Sequence, residues 1–132
     1  MTVAELTQNF ARLESQLARE RGAFAFFALF LREDVPDRWD LIVSAPWVGE
    51  DKQSAVSYLV SQIKSKLGEQ DLTSLSRIVV IDPDDVAVQN LNRDIEVEHG
   101  SVEVRDSNFF GLAVKHAHII TSKRPAETPA AQ

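Results

Sequence analysis

The sequence predicts an α+β fold. A single layered domain would hold a mixed sheet of about five strands with two hairpins, helices packed on it, in the order α-β-β-α-β-α-β-β. Three observations carry this expectation. Residues 2–21 repeat apolar side chains at helical spacing. Residues 23–32 are apolar on both faces of an extended chain. Ile78-Val79-Val80-Ile81 is a short β-branched run between two helical patterns, which requires a crossover and hence some parallel pairing.

In the first helix Val3, Leu6, Phe10, Leu13 and Leu17 form the buried stripe, Thr2 and Glu5 have capping-box spacing, and Gly22 ends the helix. In the first strand, Ala23 to Arg32, the phenylalanines Phe24, Phe26 and Phe30 point one way and Phe27, Leu29 and Leu31 the other. Asp34-Val35-Pro36-Asp37 is turn chemistry. The chain returns as a strand from Trp39 to Trp47, ended by Pro46. A second helix runs from Gly49 to Gly68, capped by Asp51, with Ala55, Val56, Leu59, Val60, Ile63 and Leu67 inward; a short turn of helix follows between Asp71 and Ser76. The strand at Ile78 to Ile81 is expected in the middle of the sheet, beside the first. Asp84 to about Asp94 reads as a further helix with Val88, Leu91 and Ile95 inward. Ser101 to Asp106 alternates as a half-exposed strand, Asp106-Ser107-Asn108 is the predicted turn, and Phe109 to Ser122 is the last strand, so that this hairpin forms an edge. The domain is expected over residues 1–122, with a flexible tail over 123–132.

Composition removes several functions. The chain has no cysteine, so disulfide frameworks, thiolate metal sites and cysteine nucleophiles are out. Its longest apolar run is nine residues, Ala23 to Leu31, too short to span a bilayer as a helix. The N-terminus has no basic region ahead of an apolar one, and a cytoplasmic protein is expected. Residues 82–106 carry eight acids and two bases, which accounts for the entire formal charge of −6. Duplex nucleic acid, which must be neutralised by Lys and Arg, is not an expected partner.

His116 and His118, two apart on a strand, share a face and suit one metal ion, with His99 as a possible third ligand. Their predicted face also holds Phe110, Leu112, Val114 and Ile120, an environment equally suited to buried, hydrogen-bonded histidines. Asp82 and Asp84, after the Ile78–Ile81 strand, are the oxygen ligands a hard cation would need, though with Asp85 they also suit a helix start. Asp82 with Glu103-Val104-Arg105 resembles the acidic element of metal-dependent nucleases, but Arg105 stands where that element has lysine. Serine elbows, Gly-rich phosphate loops and His-Glu-x-x-His are absent. Trp39 and Trp47 bracket the second strand, and Arg105, Asn108 and Phe109 form a polar-aromatic group; these are the candidate binding residues.

The first functional expectation is therefore a non-catalytic protein-binding or assembly module, homodimeric or paired with a basic protein surface, needing no cofactor. The second is a small metal-dependent enzyme of hydrolase or nuclease type using Asp82, Asp84, His116 and His118. The third is a ligand sensor with its pocket between the sheet and the first helix.

Overall fold

The computed structural model describes residues 2–35, 37–48, 51–109 and 111–123. Among these the chain forms α1 (Val3–Arg21), β1 (Phe26–Arg32), β2 (Trp39–Ser44), α2 (Lys52–Lys66), α3 (Glu69–Thr73), β3 (Leu75–Val80), α4 (Val86–Asp94), β4 (Val102–Phe109) and β5 (Leu112–Ser122). The predicted order holds, with α3 as the short turn of helix before β3. The five strands form one mixed sheet, β3-β2-β1-β5-β4, in which β2 and β3 are parallel and the other pairs antiparallel. Predicted features at Pro36, Gly49, Phe110 and residues 124–132 lie outside the described residues. Lys123, counted with the tail, donates its backbone N–H to Ala25 O at 3.0 Å.

Helix α1 starts on a complete capping box: Glu5 N donates to Thr2 Oγ1 at 3.1 Å, and Thr2 N to Glu5 Oε1 at 2.9 Å. Leu6, Phe10, Leu13 and Leu17 are buried as expected, whereas Val3, in the first turn, is exposed. The inward residues of α1 and α2 pack with Phe27, Leu29, Leu41 and Val43 on one face of the sheet; Val88 and Leu91 of α4 pack with Phe26, Ala28, Phe30 and Ile42 on the other.

Four details differ from the sequence reading. β3 is an edge strand, not a central one. Its residues are apolar on both sides because Ile78 packs toward the α1/α2 layer and Val79 toward α4. β1 begins at Phe26, so Phe24 sits ahead of the alternating stretch and packs with Phe27 and Trp47 instead of joining Phe26 and Phe30. β2 ends at Ser44, and Trp47 lies in a 3-10 turn, Pro46–Val48.

The fourth difference decides the site. β4 and β5 keep one register from Val102↔Ile119 to Phe109↔Leu112, so the chain reverses between Phe109 and Leu112, and Asp106, Ser107 and Asn108 lie within β4. Against β1, however, β5 carries two extra residues: Ile120 is left over between Phe27↔Thr121 and Ala28↔Ile119, and Lys115 between Leu31↔His116 and Arg32↔Val114. The bulge at Lys115 breaks the two-residue period. Leu112 and Val114 consequently face α4, while His116 and His118 turn to the opposite face, against Trp39. Across the hairpin Asp106, between the pairs Arg105↔His116 and Ser107↔Val114, takes a left-handed φ of 51°.

Candidate metal-ligating site

In the hairpin register Glu103 lies directly opposite His118 and Arg105 opposite His116. Cross-strand neighbours on one face hold their side chains close together, and here Glu103, His116 and His118 each offer one ligand atom, all within 4.8 Å of one another. Glu103 Oε2 meets His116 Nε2 and also accepts from Arg105 Nη2 at 2.8 Å. The imidazole rings lie 4.3 Å apart, and the Trp39 ring covers both, at 5.8 Å from His116 and 5.5 Å from His118.

The three groups differ in solvent access. Glu103 is exposed, His116 half-buried, and His118 buried at 9% relative exposure. Nε2 of His118 is buried with no hydrogen-bond partner. Buried polar atoms are nearly always paired, and leaving one unpaired costs about 1–3 kcal/mol. Burial pushes the His118 pKa down, and His116 and Arg105 push it further, against an opposing pull from Glu103. The imidazole is therefore neutral at pH 7, the protonation state that binds metals. The hydrogen bond from His116, ahead of the charge on Arg105, holds the Glu103 carboxyl below its usual range, so it is ionised. Two imidazoles and one carboxylate form a donor set typical of zinc-class ions with part of the coordination sphere left open.

His99 does not join this cluster. Its Nδ1 lies 2.6 Å from Oε1 of the fully buried Glu14, which also accepts from Thr121 Oγ1 at 2.8 Å. Asp82 and Asp84 are also elsewhere. Asp82 pairs with Lys52 at 3.6 Å, just beyond the end of β3. β3 and β5 are separated by β2 and β1, and three strand spacings of about 4.8 Å already exceed ligand reach. The register separates them lengthwise as well: the end of β3 lies beside Val43, whereas His116 lies beside Leu31 at the opposite end of β1. The aspartate that does have a defined local role is Asp85, whose Oδ1 accepts from Ala87 N at 2.9 Å and caps α4.

The candidate binding residues also separate. Trp39 is a core residue against the histidines. Phe109 is buried and stacks on Phe30 with ring centroids 4.9 Å apart. Arg105 and Asn108 are exposed on β4. Trp47 belongs to a second group that was not foreseen: the Arg21 guanidinium lies 5.0 Å from its ring centroid and 4.7 Å from that of Tyr58, beside a cleft of ≈ 260 Å³ also lined by Ser54 and Ala55. Trp47 Nε1 donates to Gly22 O at 2.8 Å.

A turn at 106–108 would set Glu103 away from His118, whereas the observed register sets it directly opposite. The signal that locates it is Gly111, whose φ of 77° suits the reversal between Phe109 and Leu112. Counting back from that turn sets Glu103 against His118. No protein-family model matches the chain, and neither a curated protein nor a solved structure matches it.

Proposed function

We propose that this chain is a metal-binding domain that holds one divalent ion of the zinc class on Glu103, His116 and His118. The observation that carries the reading is the convergence of one ligand atom each from Glu103, His116 and His118 within 4.8 Å, on a histidine that also holds a buried, unpartnered nitrogen. With metal–ligand bonds of about 2.1 Å in a tetrahedral site the donors stand about 3.4 Å from one another, so Glu103 and His116, now in direct contact, must part slightly to admit the ion while the wider pairs draw in. The exposed Glu103 side chain is the one that can move. The reading keeps the histidines of the metal-dependent alternative, replaces Asp82 and Asp84 with Glu103, and leaves any reaction unassigned.

Native mass spectrometry of chelator-treated protein titrated with zinc tests it. One zinc per chain is expected, lost in Glu103→Ala and in His118→Leu. No increment at tenfold excess of zinc, or an increment unchanged in both variants, would overturn the reading.

A second reading, a protein-docking module, is favoured by the group at Arg21, Trp47 and Tyr58. Trp, Tyr and Arg are the residue types most enriched where a few side chains dominate an interface. A basic partner would also complement the acids of residues 82–106. Self-association through an apolar face has less support: the exposed large hydrophobics among the described residues are Val3 and Val86. Trp47→Ala should abolish capture of such a partner without affecting zinc. In either reading we place the protein in the cytoplasm. Among the described residues no helix is long and apolar enough to cross a membrane.

A further inference from the structure

We infer that the site, once it holds its metal ion, binds a phosphate-type oxyanion between the ion and Arg105; this inference rests on the metal reading above. The argument begins with one oxygen. Glu103 Oε2 is shared by His116 Nε2 and Arg105 Nη2. When Glu103 turns to a metal ion, Arg105 must share its counter-charge with a divalent cation. Arg105 is itself mostly exposed, at 68% of its side chain. It points from β4 onto the same face as the three ligands, opposite His116.

The charges then favour an anion. A divalent ion, one carboxylate, two neutral imidazoles and one guanidinium leave two positive charges at one spot. Three protein ligands leave a tetrahedral ion one open position. An oxyanion occupying it would meet the guanidinium beside it, and guanidinium binds oxyanions through two parallel N–H···O bonds. The number of oxygens selects the class. A carboxylate has two, so serving the metal and both prongs of Arg105 would load one oxygen with two partners. A tetrahedral phosphate or phosphomonoester has at least three, one for each partner. Lysine, a single compact charge, would supply attraction without the fork.

The test uses the full chain loaded with cobalt(II), whose visible absorption in a tetrahedral site reports changes at its open position. Inorganic phosphate and phenyl phosphate are titrated in separate arms, with acetate as the comparison. Both phosphates are expected to change the spectrum with saturation, at least tenfold more tightly than acetate. Arg105→Met should weaken phosphate at least tenfold, and Arg105→Lys should recover part of that loss. Cobalt stoichiometry is measured on every variant. Failure of the wild-type chain to take up cobalt would overturn the metal reading and this inference with it. Cobalt bound at one per chain with no phosphate response, with acetate equal to phosphate, or with Arg105→Met equal to wild type would overturn the oxyanion alone. A response to inorganic phosphate but not phenyl phosphate would assign the site to the free ion, and the converse to a monoester.

Discussion

Replacing His118 with leucine should make the metal-free protein more stable and abolish its response to zinc. His118 is buried, and its Nε2 has no partner. Removing that unpaired atom returns about 1–3 kcal/mol. The variant loses ring contacts with Trp39 and His116, worth about 0.5–1.5 kcal/mol. A net gain of about 1 kcal/mol remains. Unfolding entropy of about 2.1 cal/mol/K per residue gives a 132-residue chain about 0.28 kcal/mol/K, so Tm should rise by about 4 °C. Zinc reverses the order. At a hundredfold over its Kd a ligand adds about 2.7 kcal/mol, or about 10 °C on this scale, to wild type alone. Scanning calorimetry with chelator and then with zinc reads both effects. The pH dependence has a definite sign. The folded pKa of His118 lies below its ordinary 6.5, so on acidification the unfolded chain takes this proton first. Wild type therefore loses stability as pH falls below about 6.5, leucine has nothing to titrate, and the gap between them widens. A variant several degrees less stable than wild type in chelator, or one that still answers zinc, would refute this reasoning.

Asp40, 1% exposed, accepts from Arg32 Nε at 2.7 Å and from Arg77 Nε at 3.0 Å. Asp40→Ala leaves Arg32, 14% exposed, with Asp34 as its remaining carboxylate partner at 3.1 Å, while the more exposed Arg77 can turn to water, so a loss of about 1–3 kcal/mol is expected in urea unfolding. Asp71 is pushed above its ordinary 3.8 by burial, against the hydrogen bond from Asn9. The folded chain then keeps that proton longer than the unfolded one, so stability declines as pH rises from 3.8 through the raised value, and Asp71→Asn should flatten that slope. Gly22 has φ 120°, and a Cβ there would lie 3.2 Å from Trp47 Cδ1. Gly22→Ala should cost about 1–3 kcal/mol by thermal unfolding and alter the Trp47 fluorescence.

The layout was legible because each element carries its own signal. The α1 stripe, the two-faced run of β1 and the caps Thr2 and Asp51 are local features, and local features survive into the structure. What depends on neighbours was not legible. Apolarity on both faces of β3 predicts a central place in the sheet, yet two helical layers produce the same pattern at an edge. The site shows the limit most clearly. His116 and His118 were identifiable as a pair from the two-residue period alone. Their surroundings were not, because one extra residue at Lys115 reverses which side chains face which layer.

That reversal also supplies the physical case for function at this spot. Had β5 kept its period, His116 and His118 would lie among Leu112 and Val114 over α4, as ordinary residues of an apolar face. The bulge instead places them beside Trp39, opposite Glu103 and Arg105 on the charged edge strand, with one imidazole nitrogen buried and unpaired. Bulges locally disrupt pairing, and they concentrate where a side chain must be re-aimed. A fold selected for stability alone would gain by removing both the bulge and the unpaired nitrogen. Their presence at one place, four side chains converging on it, is what a ligand site looks like when stability has been given up for binding.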